Sequence, residues 1–352
     1  MRLRVLPLAA LALASLALSC FTVSAAQGGP GRAAIASAHV LATEAGFEAI
    51  AEGGNAFDAA VAVAATLAVV EPQSSGIGGG GLYLLHRASD GKEVMIDARE
   101  AAPAAVDPAD YLDENGEPDR DHSINGPLAA AIPGHPAGLA WMAEKYGKLP
   151  LSKSLAPAIR IARAGFQPDP RFLGAVARRK EILARHPASA ALFLVDGAAP
   201  TQGWTFRSPD LARTLERIAE HGRDGFYRGE LAKLLVDGVR AAGGNWTLDD
   251  LAKYEAKERQ PFAFDYRGWH IVTAPPPSSG GIAVAEILNM LSGYELDKLD
   301  RVHRVHLSVE AMRRAYRDRA EYLGDPDHVE MPLRMLTSAD YAAGLRASIN
   351  PG

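Results

Sequence analysis

The sequence predicts an α+β fold, and three features near its start predict it: a wholly apolar helix, a run of glycines, and a pair of short strands. Residues 56–70 carry alanine, valine, leucine and phenylalanine on nearly every face. A helix of that composition belongs inside a layered protein and not on its surface. Asn55 stands where an N-cap is needed, and Asp58, three residues on, completes a capping-box-like pair. Pro72 ends the helix. Ser74-Ser75-Gly76-Ile77-Gly78-Gly79-Gly80-Gly81 follows, and then the apolar run Leu82-Tyr83-Leu84-Leu85. Glu93-Val94-Met95-Ile96-Asp97 reads as a second strand, paired to the first through a turn at Ser89-Asp90-Gly91.

The remaining elements are read by the same signals. Residues 42–52 form a short helix that stops at Gly53-Gly54. The middle of the chain, 103–206, is rich in Pro, Ala and Gly and reads as several short helices, with Asp119-Arg120-Asp121-His122 exposed. Ser208 and Pro209 supply an N-cap and a first-turn proline for a helix over 210–220. A helix over 229–242 stops at Gly243-Gly244, and Thr247 with Asp250 opens another toward Tyr254. Strands at 262–266 and 270–273 flank the turn Arg267-Gly268. Pro275-Pro276-Pro277-Ser278-Ser279-Gly280-Gly281 leads into a helix over 282–291. The longest amphipathic helix spans 302–323; Val305, Val309, Met312, Tyr316, Ala320 and Leu323, at three-to-four spacing, are its expected core face. Gly324 and Pro326 end it.

Composition narrows the function. The N-terminus reads as a cleavable leader over residues 1–25: Arg2 and Arg4, an apolar stretch from Val5 to Leu18, and Val23-Ser24-Ala25 as a peptidase site. A membrane anchor and a lipoprotein attached through Cys20 are the alternatives. The apolar stretch is short for a span, and Ala17-Leu18-Ser19 fits a lipobox poorly. The expected product is secreted or periplasmic, with residues 26–352 as one large domain. Cys20 is the single cysteine, so a processed chain has no disulfide, thiolate or cysteine-held metal. The net charge is −5, and loss of the leader makes it two charges more negative. No basic block invites nucleic acid, and no later segment is apolar enough to stay in a membrane.

Several motifs are candidates for chemistry. The glycine run 76–81 lacks the Gly-Lys-Ser/Thr of a P-loop and precedes a strand instead of opening a helix. It is either a close-packed crossing that only glycine can make or a ligand contact. His303 and His306 share a helix face but have no third ligand in an obvious pattern, so no metal is expected. No cofactor fingerprint, Gly-X-Ser-X-Gly or His-Glu-X-X-His occurs. Ser278 and Ser279 precede a helix and could contact an anion, or Ser could serve as its N-cap. Arg99, just past the strand 93–97, could present its fork to a substrate carboxylate or pair internally with Asp97 or Glu100.

The motifs in order carry a resemblance. Gly53-Gly54-Asn55-Ala56-Phe57-Asp58-Ala59-Ala60-Val61-Ala62, Glu71-Pro72-Gln73-Ser74-Ser75-Gly76-Ile77-Gly78-Gly79-Gly80 and Asp97-Ala98-Arg99-Glu100-Ala101-Ala102-Pro103 resemble the γ-glutamyltransferase (glutathione hydrolase) family. Pro275-Pro276-Pro277-Ser278-Ser279-Gly280-Gly281 and Asp318-Arg319-Ala320-Glu321-Tyr322-Leu323-Gly324-Asp325-Pro326 extend the match toward the C-terminus. The resemblance implies an N-terminal-nucleophile hydrolase with an αββα sandwich, made as a precursor that cuts itself into a large and a small subunit. A threonine at the new N-terminus attacks the γ-glutamyl amide, and water, an amino acid or a peptide resolves the acyl-enzyme. The family's arginine that holds the γ-glutamyl α-carboxylate maps onto Arg99.

The family's Thr-Thr-His cleavage sequence does not occur, and Thr337 lies in the large-subunit stretch. The expectation is therefore a large-subunit portion with no catalytic residue of its own. It would need a small subunit as partner, be inactive alone, and be poorly stable with exposed sheet edges. A glutaryl or cephalosporin acylase relative and a non-catalytic γ-glutamyl-binding protein are the alternatives.

Overall fold

The structure, a computed structural model, describes residues 33–350. The expected leader and Cys20 lie outside the described residues. The chain from Ser37 onward makes one compact unit. Its principal elements are α1 (Val40–Ala51), α2 (Ala56–Val70), β1 (Gly81–Arg87), β2 (Lys92–Ala98), α3 (His135–Tyr146), α4 (Leu151–Ala164), α5 (Pro170–Ala184), α6 (Pro209–His221), α7 (Gly229–Ala241), α8 (Leu248–Lys253), β3 (Lys257–Arg259), β4 (Phe262–Tyr266), β5 (Trp269–Thr273), α9 (Gly280–Leu291), α10 (Arg301–Tyr322) and α11 (Ala339–Ala347). Helix and strand are mixed as an α+β fold requires.

Helix α2 is the axis of the larger core. Asn55 Oδ1 accepts the Phe57 and Asp58 amides at 2.8 and 3.1 Å, and Asp58 Oδ2 accepts the Asn55 amide at 2.8 Å. The capping box read from the sequence is therefore complete. Asp58 is fully buried. Its carboxylate also takes the amides of Lys148 (2.9 Å) and Leu149 (3.2 Å), in the turn between α3 and α4. Val61, Ala65 and Val69 fill the layer between α2 and its neighbours α1, α3 and α4.

β2 is the central strand of an antiparallel sheet ordered β1-β2-β3. The β1–β2 hairpin runs from Gly81 opposite Ala98 to Arg87 opposite Lys92. Val94–Ala98 are all buried, so this part of β2 is covered on both faces. Among the described residues β1 and β3 each pair on one side only, and β4 and β5 pair only with each other. The Arg267-Gly268 turn has φ of 48° and 84°, the two left-handed residues that a tight hairpin of this hand needs.

Three expectations are corrected. The proline-rich middle contains helices of 12, 14 and 15 residues, α3 to α5. Pro136 and Pro170 sit in first turns, where no amide is needed, and Pro157 is carried inside α4. Ser208 occupies the N-cap position of α6, but its buried side chain makes no cap hydrogen bond. The core face of α10 is the third. Leu307, Ala311, Ala315 and Asp318 are its buried residues, whereas Val302, Val305, Val309, Met312 and Tyr316 are 45% to 75% exposed. Small alanines let α10 lie close against α9, and that close approach selects the buried face. The larger side chains form an apolar stripe on the other side.

Candidate functional site

A cleft of about 810 Å³ opens where β2 ends, and Arg99, Glu100, Tyr254, Arg259, Ser279 and Arg319 are among its lining residues. It brings together Arg99 and Ser279, which lie far apart in the chain. Ser278 is not among its lining; among the described residues its Oγ takes only a long 3.4 Å contact from the Gly280 amide.

The backbone at Arg99 is held on both sides, at its amide and at its carbonyl. Asp97 Oδ1 accepts the Arg99 amide at 3.1 Å. Tyr254 donates its hydroxyl to the Arg99 carbonyl at 2.7 Å, and the Tyr254 ring stacks on Tyr227 at 5.5 Å between centroids. Burial first, and then the charges of Asp97 and Glu100, push the Tyr254 pKa up, so the hydroxyl stays a donor. Beneath these contacts Asp97, itself 7% exposed, accepts Arg259 Nε at 2.6 Å through Oδ2. Arg259 also forks onto Asp327 at 3.1 and 2.7 Å, and Lys257 reaches Asp327 at 2.6 Å. Hydrogen bonds from Arg259 and Lys257 hold the Asp327 carboxyl far below the usual range.

The Arg99 side chain contrasts with its backbone. It is exposed, and among the described residues its guanidinium has no hydrogen-bond or ion-pair partner. The internal pairing open in the sequence is thus not formed, because Asp97 is committed to Arg259 and the Arg99 amide.

The glycine run makes a close-packed crossing. A Cβ on Gly80 would lie 2.6 Å from Glu100 Oε2, 2.7 Å from the Ala98 carbonyl oxygen and 2.8 Å from the Glu100 nitrogen. The Gly79 carbonyl accepts the amides of Gly134 and His135, both at 2.9 Å, at the start of α3. His135 is buried there with Nδ1 3.1 Å from the Tyr83 hydroxyl, and burial pulls its pKa down to about 4 despite the charge of Glu100. Gly80→Ala is expected to cost about 2 kcal/mol, because two of the three atoms that its methyl meets are backbone. Urea unfolding of the two proteins measures this; coincident midpoints would mean that the loop gives way freely.

Ser279 corrects the N-cap reading. It lies in helical conformation with no cap hydrogen bond, because its Oγ accepts Arg319 Nε at 2.9 Å. No histidine or carboxylate among the described residues hydrogen-bonds that hydroxyl, so nothing there acts as its base. His303 and His306 are likewise committed, to Asp300 at 2.7 Å and to the Asn350 carbonyl at 2.8 Å. No group of three or more potential metal-binding side chains occurs among the described residues.

Arg259, Asp327, Tyr254 and Arg319 were not singled out in the sequence as site residues. Arg319 lay inside a recognised motif, and Asp327 just beyond it; Arg259 and Tyr254 carried no local signal.

Comparison with known proteins identifies the family and the fold. A family model described as gamma-glutamyltranspeptidase matches residues 42–352. A glutathione hydrolase proenzyme of Pseudomonas sp. (strain A14) is 43% identical over 97% of the chain and 60% of its own length. The acylase ACY 1 proenzyme of Pseudomonas sp. (strain SE83) is 37% identical over 94% of the chain and 60% of its own. The crystal structure of Helicobacter pylori gamma-glutamyltranspeptidase superposes with a TM-score of 0.88 at 37% identity, covering 92% of this chain and 93% of that one. The chain thus has the fold of that N-terminal-nucleophile hydrolase, and it spans about three fifths of the curated proenzymes it matches.

Proposed function

The chain belongs to the gamma-glutamyltranspeptidase family, and on that premise we propose that it is the large-subunit portion of an enzyme that cleaves γ-glutamyl amides such as glutathione, with Arg99 receiving the α-carboxylate of the γ-glutamyl group. The observation that carries this is the contrast at Arg99: a backbone fixed by Asp97 and Tyr254, and a guanidinium left without a protein partner. A fork rooted in a fixed backbone, with its nitrogens unspent among the described residues, is free for bidentate capture of a carboxylate. Glu100 lies beside it in the cleft with no ion pair among the described residues, a fitting neighbour for an ammonium group.

The nucleophile in this reading is a threonine on a second subunit. Its hydroxyl adds to the γ-amide carbonyl, the amine leaves with a proton, and water or an amino acid or peptide amine resolves the ester. The cleft's own hydroxyls are committed elsewhere, Ser279 to Arg319 and Tyr254 to the Arg99 carbonyl. One further observation supports a second subunit: among the described residues nothing covers the apolar stripe on α10. The reading includes export through the leader, tested by N-terminal sequencing of the periplasmic protein; an intact Met1 there would refute it.

Titration calorimetry with glutathione tests the Arg99 assignment. Arg99→Ala is expected to weaken binding roughly ten- to hundredfold, the range for charge-assisted hydrogen bonds to one carboxylate. Equal affinities would exclude Arg99 from the site. The likeness to acylase ACY 1 supports a second reading, a glutaryl-type acyl group whose carboxylate Arg99 would receive equally well. Glutarate binding as tightly as glutamate would favour that reading, because only glutamate carries the ammonium.

A further inference from the structure

Of the basic side chains lining the cleft, three are neutralised: Arg259 by Asp97 and Asp327, Lys257 by Asp327, and Lys253 by Asp249 at 2.6 Å. Two arginines are not. Arg99 stands at the end of β2, and Arg319 stands in the last turn of α10 on a different wall. Among the described residues no carboxylate lies within ion-pair distance of either. The acidic residues of the cleft that carry no ion pair, Glu100, Glu255 and Asp325, do not contact Arg319, and Asp325 accepts the Asp327 amide instead.

Arg319 is oriented as well as unpaired. Its Nε donates to Ser279 Oγ at 2.9 Å, and Ser279 is fixed by the start of α9. That contact uses the inner nitrogen and, among the described residues, leaves both terminal nitrogens without a partner. Its neighbour Asp318 does not compete for it: that buried carboxylate accepts Arg317 Nε at 3.0 Å and Nη2 at 2.7 Å, and the Tyr341 hydroxyl at 2.8 Å. A guanidinium steadied at Nε with both outer nitrogens open is the geometry that takes a planar carboxylate.

We propose that Arg319, steadied by Ser279, is a second carboxylate-binding residue of the cleft, so that the preferred ligand carries a carboxylate at each end: a γ-glutamyl peptide with a free C-terminus, not a simple γ-glutamyl amide. This rests on the reading of Arg99 as the γ-glutamyl anchor and assigns the other end of the same ligand. Uncharged leaving groups then bind by the γ-glutamyl end alone, and the peptide terminus contributes discrimination between substrates.

The test compares glutathione with its glycine amide, two ligands that differ only in the C-terminal charge, by calorimetry on the full chain. Wild type is expected to favour the free acid by roughly tenfold or more. Arg319→Gln should bring that ratio close to one and leave affinity for the amide unchanged, whereas Arg99→Ala should weaken both ligands alike. Arg319→Lys keeps the charge but not the fork, and should restore only part of the preference. A wild-type ratio near one, a ratio kept by Arg319→Gln, or full restoration by lysine overturns the proposal. If the ratio responds to Arg319 but Arg99→Ala changes nothing, the Arg99 assignment fails, and with it the two-ended ligand, while Arg319 keeps its role as receiver of the peptide carboxylate. No binding of either ligand by wild type overturns both.

Discussion

Replacing Asp58 with alanine is expected to lower the stability of the chain by about 3–5 kcal/mol, a large fraction of what a domain has to lose. The carboxylate is fully buried and accepts three backbone amides, those of Asn55, Lys148 and Leu149. Alanine strands all three. It opens the N-terminus of α2, which costs about 1 kcal/mol as a lost cap. It also leaves two half-buried amides of the α3–α4 turn without their acceptor, each worth about 1–2 kcal/mol. Asp58→Asn keeps one acceptor oxygen and should lose about half as much. Urea unfolding of the three proteins at neutral pH measures the series. A loss under about 1 kcal/mol for alanine would mean that water reaches the amides and that Asp58 is not the link between α2 and the turn.

That residue also marks how far the sequence could be read. Asn55 and Asp58 were legible because a capping box is local: donor, acceptor and helix lie within four residues. The β1–β2 hairpin and the Arg267-Gly268 turn were legible for the same reason. Asp58's amides at 148 and 149 were not, since nothing in a helix start announces a partner some ninety residues away. The face of α10 failed for a different reason. Periodicity reports where large apolar side chains fall, and on α10 they fall on the stripe of Val305, Val309, Met312 and Tyr316. Packing chose the alanine side, where α9 approaches. A helix with two apolar faces has two partners to satisfy, and a period cannot say which lies in the same compact unit.

The site divides in the same way. Arg99 could be suspected from its place at the end of a strand, and the family resemblance gave it a role. Its freedom from Asp97 and Glu100 could not be read, because that depends on Arg259, more than 150 residues later, claiming Asp97 first. The general point is that an arginine's availability is decided by its neighbours' other commitments. Asp97 and Asp327 neutralise Arg259 and Lys257, and thereby leave Arg99 and Arg319 as the unspent cations of the cleft.

Glu286 carries the last prediction: the chain should lose stability as pH rises from about 5 to about 9, and Glu286→Gln should abolish most of that loss. Glu286 on α9 is 1% exposed, with Oε1 lacking a hydrogen-bond partner among the described residues. It shares a hydrogen bond with Asp318 of α10, which is also fully buried. Arg317 and, from α11, Tyr341 are the other groups on the pair, and both bond to Asp318. Burial, then the hydrogen bond and charge of Asp318, push the Glu286 pKa up to about 9, with Arg317 pulling the other way. Burial also works against Asp318, but hydrogen bonds from Glu286, Arg317 and Tyr341 outweigh it and hold that carboxyl low. The pair is therefore one proton on Glu286 and one charge on Asp318. The unfolded chain releases a glutamate proton near its ordinary value, about 4.3. Between that pH and about 9 the folded state holds a proton that the unfolded state has lost, so stability is full below the window and falls as pH climbs through it. By linkage the loss across the window is of the order of several kcal/mol. Glutamine gives Asp318 the same kind of donor without a titrating proton. Other groups titrate alike in both proteins, so the difference between their urea midpoints at pH 5, 7 and 9 isolates this pair. Parallel curves for wild type and Glu286→Gln would show that the two carboxyls share no proton and that α9 and α10 are joined by packing alone.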